Sequence, residues 1–278
     1  MEKERMDFTD YTDPICPFCT DQFKKQPPVR PIPTQRVLEK LDEHLGRNDY
    51  DSAERHLLYW LDEAKDGRDK HGMLTVENEL MGLYRKTNRK EKALESVRKA
   101  LNLIDELKLG SAVVAGTTFT NAATVYKAFA MPEESIELFE KAKKIYEKEL
   151  QSDEPRLGGL YNNLGLTLTD LKRFDEAEEY YNKAINVMSN NKNGELEIAI
   201  TYLNLCDLNE AKLGSEQSEK IIDEYIEKAY ELLNRDYLPR NGYYAFVCEK
   251  CAPTFGYFGR FLYQKELSDR ARCIYERN

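Results

Sequence analysis

Leu160-Tyr161-Asn162-Asn163-Leu164-Gly165-Leu166-Thr167-Leu168 leads into Arg173-Phe174-Asp175-Glu176-Ala177-Glu178-Glu179-Tyr180-Tyr181-Asn182-Lys183-Ala184 as one unit of a repeat of about 42 residues. Its Asp175-Glu176-Ala177-Glu178-Glu179 lies in register over Glu91-Lys92-Ala93-Leu94-Glu95. The small residue of that pattern falls at Ala53, Ala93, Ser135 and Ala177, in steps of 40, 42 and 42, and seven residues later stand Trp60, Ala100, Ala142 and Ala184. The upstream half keeps the same phase through Met81, Ala123, Gly165 and Cys206, each but the last twelve residues before its second anchor. A fixed period in this range marks a solenoid built of supersecondary units. Each unit is therefore read as a helix–turn–helix, and the fold class as all-α.

One helix pair cannot bury its apolar face alone, so small residues let adjacent pairs approach while Leu, Tyr and Phe interdigitate between them. Trp60, Ala100, Ala142 and Ala184 are expected to be buried between helices. Within the pairs, Asn88 and Gly46 suit a left-handed turn, and Pro132 suits a first helical turn, where its missing N–H is no loss. Glu133-Glu134 and Asp175-Glu176 complement the positive end of a helix dipole. Leu109-Gly110-Ser111, Ser152-Asp153-Glu154-Pro155 and Asn190-Asn191-Lys192-Asn193-Gly194 read as the turns between units.

The small and aromatic positions of residues 160–184 resemble the tetratricopeptide repeat (TPR). Ordinary units of that family repeat every ~34 residues, and the longer step here is similar to the elongated units of kinesin light chain. Eight more residues at ~1.5 Å each add roughly 12 Å of helix to a pair. The resemblance covers residues 34–278 and implies a right-handed TPR superhelix (α-solenoid) of about six units, near 34–70, 71–110, 111–154, 155–193, 194–241 and 242–278. The end units depart from the pattern as caps do. In the fifth, Gly214-Ser215-Glu216-Gln217-Ser218 reads as an inserted surface loop; in the sixth, Tyr243 to Leu262 reads as one long helix, open to interruption at Pro253, with Glu266 to Tyr275 as its partner.

One third of the residues (33%) are charged, the net charge is −9, and no run of 18 apolar residues occurs, which excludes a transmembrane helix. Met1-Glu2-Lys3-Glu4-Arg5-Met6-Asp7 lacks the apolar stretch of a signal peptide, so a cytoplasmic location with reduced cysteines is expected. An acidic solenoid without a recurring basic stripe argues against nucleic acid, whose affinity comes from Lys and Arg on phosphates. Residues 1–33 hold Pro14, Pro17, Pro27, Pro28, Pro31 and Pro33 and no helical periodicity, the composition of an extended arm. That arm is about half the length of the helix-turn-helix domain carried by peptide-sensing transcription regulators.

Two constellations carry chemistry. Cys16-Pro17-Phe18-Cys19 and Cys248-Glu249-Lys250-Cys251 could together supply four thiolates to zinc, but 228 residues separate them where ~15–20 is usual. Residues 20–33, extended at ~3.3 Å each, reach ~46 Å, whereas five steps of ~10 Å place the sixth unit ~50 Å away. Cys248 and Cys251 read better as small fillers of a buried face. Cys16 and Cys19, in an arm with no core to fill, remain zinc candidates. A redox role for them lacks the preceding strand that such a motif requires.

The second constellation is an asparagine two residues before the small residue of the first helix, at Asn121, Asn163 and Asn204. Asn is unfavourable inside a helix because its amide competes with the backbone, so three in register call for a compensating use. A peptide backbone supplies one, its C=O and N–H matching the donor and acceptor of each amide. The likeness to kinesin light chain implies the same, with in-register asparagines holding an extended peptide on the concave side. Asn162, Thr124 and Lys127 are neighbouring candidates, and the alternative is that the amides tie helices together. The mixed charges of Arg85, Lys86, Lys127, Asp170 and Asp207 leave the sign of the ligand open. The carboxylate clamp of chaperone-binding TPR domains is missing, since its places hold Leu38, Asp42, Asn78, Gly82 and Gly159. His44, His56 and His71 cluster at one end with no evident nucleophile or phosphate loop. The expectation is a non-enzymatic protein- or peptide-binding adaptor, with a zinc-stabilised scaffold as the alternative.

Overall fold

The computed structural model describes residues 28–276. Among them are twelve helices in six successive pairs, with no strand. The pairs are α1 (Thr34–Gly46) with α2 (Tyr50–Asp66), α3 (Lys70–Lys86) with α4 (Lys90–Glu106), and α5 (Val113–Ala128) with α6 (Pro132–Glu149). They continue with α7 (Pro155–Asp170) and α8 (Phe174–Ser189), α9 (Glu195–Leu213) and α10 (Ser215–Leu233), and α11 (Gly242–Tyr257) and α12 (Phe261–Tyr275).

The tight turns share one chemistry. Asn48, Arg68, Asn88, Lys108, Ala130 and Lys172 all sit in the left-handed region, with φ of 55° to 59°. In each case the next amide returns to the carbonyl five residues back, as in Arg89 N to Tyr84 O at 2.8 Å and Arg173 N to Leu168 O at 2.8 Å. This bond satisfies a carbonyl that the helix end would leave orphaned. Asn88 behaves as the sequence suggests, but Gly46 stays within α1 and Asn48 takes the left-handed place. Pro132 and Pro155 open α6 and α7.

The small residues work as close-approach points. Ala53, Ala93, Ser135, Ala100 and Ala142 are fully buried and Ala184 nearly so. A Cβ on Gly165 would stand 2.6 Å from the Tyr181 ring, so absence of a side chain is what lets α7 meet α8. A second set of close approaches was not apparent from the sequence: Gly116 faces Tyr146 and Gly158 faces Met188, at 2.5 and 2.6 Å from a Cβ built on each glycine. Both members step by 42 residues. Trp60 departs from expectation, being only half-buried. It stands in the first described pair, with His56 and Tyr59 against its edges.

Two readings of the irregular units are corrected. Ser215 to Ser218 form the first turn of α10, not a loop, and Gly214 alone turns the chain at φ 79°. The Ser218 hydroxyl turns back within this first turn and donates to Gly214 O at 2.7 Å. The long helix expected to reach Leu262 ends at Tyr257, because Gly259, at φ 77°, closes a turn in which Arg260 N bonds Phe255 O. Pro253 lies inside α11 without ending it.

Consecutive first helices α3, α5, α7, α9 and α11 touch along one layer, whereas second helices reach their counterparts mainly through long side chains such as Lys92 to Glu54 and Lys143 to Tyr180. The stack therefore curls toward the first-helix side, making it the inner face.

Residues 29–33 lie along the α2–α3 turn. Arg30 N donates to Gly67 O at 2.9 Å, and buried Asp69 accepts from Ile32 N and Gly72 N, both at 2.9 Å, thereby capping α3 and pinning the chain with one carboxylate. Asp69→Ala leaves two buried donors unpaired and is expected to cost about 1–3 kcal/mol. Limited proteolysis checks it: cleavage near residues 28–33 should become faster in the variant than in the parent.

Candidate functional site

Four of the first helices place a polar row on the inner layer. Asn121 on α5, Asn163 on α7 and Asn204 on α9 occupy one register, and all three are half-buried. The structure divides them. Asn121 Nδ2 donates to Asn78 Oδ1 at 3.0 Å, linking α5 to α3, while Asn78 Nδ2 donates to Thr118 Oγ1 and to Leu74 O. Asn204 Nδ2 donates to Asn162 Oδ1 at 2.9 Å, linking α9 to α7, and Thr201 also donates to that oxygen, at 3.1 Å. Among the described residues, the Asn163 amide makes no hydrogen bond.

The physical reason lies one position upstream. Asn78 and Asn162 each stand three residues before the small residue of their own helix and receive the amide of the following unit. In α5 that place is held by Thr120, whose hydroxyl turns back to Gly116 O at 2.9 Å. The unit that follows α5 is the one carrying Asn163, which is left unengaged. Asn78 and Asn162 thus act in pairs with the predicted row, a signal visible in the sequence as two further asparagines 84 residues apart. Asn162 is buried at 7% exposure, so it sits beneath the row, not on its surface. Thr124 donates to Asn121 O at 2.7 Å, and Lys127 forms an ion pair with Asp170 on α7 at 3.2 Å.

Of the acidic groups of this face, the sequence singled out Asp207 but not Glu79 or Glu197. Burial raises Glu79 with help from the Asp42 charge, and burial raises Glu197 against the opposing charge of Lys250. Asp207, one turn beyond Asn204, is pushed up to about 6 by burial, with the Glu210 charge adding to it. Since the folded value exceeds the ordinary 3.8, ionised Asp207 opposes folding at neutral pH and ceases to do so as pH falls below the folded and then the unfolded value. Asp207→Asn is therefore expected to raise the melting temperature at pH 7.5 and to leave it unchanged near pH 4. The gain is small because the side chain borders solvent; an equal gain at both pH values would contradict the assignment.

The sixth unit closes the face with aromatic rings. Tyr243, Phe246 and Tyr257 on α11 are 48%, 46% and 69% exposed. Their hydroxyls, where present, reach across to α9: Tyr243 donates to Glu197, and Tyr257 donates to Glu210 at 2.9 Å. The sequence hid this patch because aromatic residues in a repeat read as core.

Cys248 and Cys251 are buried beside Tyr244, Phe255 and Leu267, and burial pushes their thiols up to about 11 and about 12. No group of three metal-ligating side chains occurs among the described residues. Cys16 and Cys19 lie outside the described residues. His44 and His56 pack together with ring centroids 5.8 Å apart, and His56 Nε2 lies 2.9 Å from Val37 O. No helix among the described residues is long and apolar enough to cross a membrane.

Residues 160–191 match the tetratricopeptide repeat model. No curated protein matches the chain. Among solved structures, the chain is similar to the nearly identical TPR-like repeats assigned to a kinesin light chain of Podosopora anserina, with 16% identity, 72% of this chain and 94% of that one covered, and a TM-score of 0.52. It is also similar to pilF of Pseudomonas aeruginosa, with 15% identity, 87% and 92% covered, and a TM-score of 0.50. At these identities the likeness shows the fold.

Proposed function

We propose that this chain, a tetratricopeptide repeat protein, is an adaptor or scaffold that holds an extended partner segment along the inner face of its first helices. The observation that carries the reading is the unengaged amide of Asn163, flanked in register by Asn121 and Asn204. Those two each use one amide hydrogen internally, leaving the carbonyl oxygen and second hydrogen of each for a ligand. A strand passing along the row would meet alternating acceptors and donors suited to its own N–H and C=O groups.

Thr124 and Lys127 flank the path, while Asn162 acts through Asn204 from below. Contacts to a backbone give modest sequence selectivity, so specificity would come from side chains seated between units. Binding of this kind needs neither cofactor nor turnover, and the partner is a protein rather than nucleic acid or membrane. We place the chain in the cytoplasm.

The test is calorimetry of the triple variant Asn121→Ala, Asn163→Ala, Asn204→Ala against a partner segment captured with the parent protein. Loss of roughly 0.5–1.5 kcal/mol per hydrogen bond is expected. Unchanged affinity would show that the row is structural only.

A further inference from the structure

Seven large aromatic side chains are exposed among the described residues, and six of them follow residue 236. Three of those, Tyr243, Phe246 and Tyr257, share the inner side of α11, which no further layer covers among the described residues. Tyr243 and Phe246 stack with centroids 6.2 Å apart. The Tyr257 ring, more open than either, has its hydroxyl on Glu210 and lies within the field of Asp207.

The charge around these rings is one-sided. Toward the middle of the face, Lys127 is neutralised by Asp170. Farther along, α9 contributes Glu197, Asp207 and Glu210, and among the described residues α11 answers with Lys250. Lys212, near the end of α9, is held by Asp175 and Glu178 of α8. Glu197 and Glu210 are occupied by tyrosine hydroxyls, which leave their charge in place, and Asp207 has no ion-pair partner among the described residues. Open aromatic faces beside uncompensated carboxylates recognise a cation: the ring quadrupole and the carboxylate attract the same group, and a planar guanidinium satisfies both at once.

Resting on the groove reading above, we propose that the partner segment is basic, with an arginine side chain seated over Tyr257 and facing Asp207 and Glu210 while its backbone runs along the asparagine row. The site sets register as well as sign. The cationic residue lies at the α9–α11 end, and the segment extends from there toward α5, past Asn204, Asn163 and Asn121 in turn.

The experiment is fluorescence anisotropy with the full chain and a labelled, Thr/Val-rich peptide carrying Arg at alternate positions, compared with its Gln and Glu versions. The Arg peptide is expected to bind about tenfold tighter than the Gln peptide, and the Glu peptide weakest. Asp207→Asn and Tyr257→Leu, both surface changes, should each bring Arg-peptide affinity closer to that of the Gln peptide, with circular dichroism confirming the fold. Equal binding of all three peptides, abolished in the triple asparagine variant, would overturn the cationic preference while leaving the groove reading intact. An Arg preference that survives both the triple variant and Asp207→Asn would overturn the placement at this site. Absence of binding by all three would overturn both readings.

Discussion

Gly165→Leu is expected to destabilise the fold by about 3 kcal/mol or more, the upper part of the range for overpacking a close helix–helix approach. A Cβ alone would lie 2.6 and 2.7 Å from two carbons of the Tyr181 ring. Tyr181 is fully buried and cannot swing into solvent, so α7 and α8 must separate. That separation propagates, because in a stacked array each unit is held by its neighbours. In thermal denaturation the variant should melt earlier by ~10 °C, given roughly 2–4 °C per kcal/mol at this chain length. Gly82→Leu is the control, since nothing lies within 4 Å of a Cβ there; its melting temperature should stay close to the parent.

The second large effect separates two adjacent asparagines. Asn162→Ala removes the oxygen that accepts from both Asn204 and Thr201. Thr201 keeps Glu197 O at 2.9 Å, so the loss falls on the half-buried Asn204 amide at about 1 kcal/mol, and the variant should melt earlier while Asn204 loses its orientation. Asn163→Ala removes no internal hydrogen bond and should leave the melting temperature unchanged or slightly raised, Ala being the better helix former. For partner binding both variants weaken, Asn163→Ala by direct loss and Asn162→Ala through Asn204. Equal melting temperatures for the two would contradict the division of the row into tied and free amides.

Much of this was legible in the chain because close packing leaves a strict trace. A glycine, alanine or serine recurring every 40 to 42 residues has few explanations other than helices meeting at a fixed point, and Ala93, Ser135 and Ala177 are all fully buried. The register of Asn121, Asn163 and Asn204 could be read for the same reason. Their inequality was written less plainly, because it depends on the side chain at one neighbouring place, which is Asn78, Thr120, Asn162 or Leu203 from unit to unit. Only two of those four accept an amide.

The misread units failed for local reasons. Glu216, Gln217 and Lys220 are as compatible with a helix start as with a loop, and tertiary packing of Ile222 and Ile226 decides for the helix. At Phe258-Gly259-Arg260 aromatic residues flank the break on both sides, so the turn rests on the single positive φ that Gly259 allows. Exposure of Tyr243, Phe246 and Tyr257 has no sequence signature at all, since the same residue types fill the core at Tyr181, Tyr244 and Phe255.

The claim that the inner face holds the partner is tested most directly by site-specific photocrosslinking. A benzoylphenylalanine placed at Thr124, on the inner layer beside Asn121, should capture the partner segment, and the same group at Glu179, exposed on the second helix α8, should not. Capture from Glu179 with none from Thr124 would place the partner on the outer layer and contradict the account.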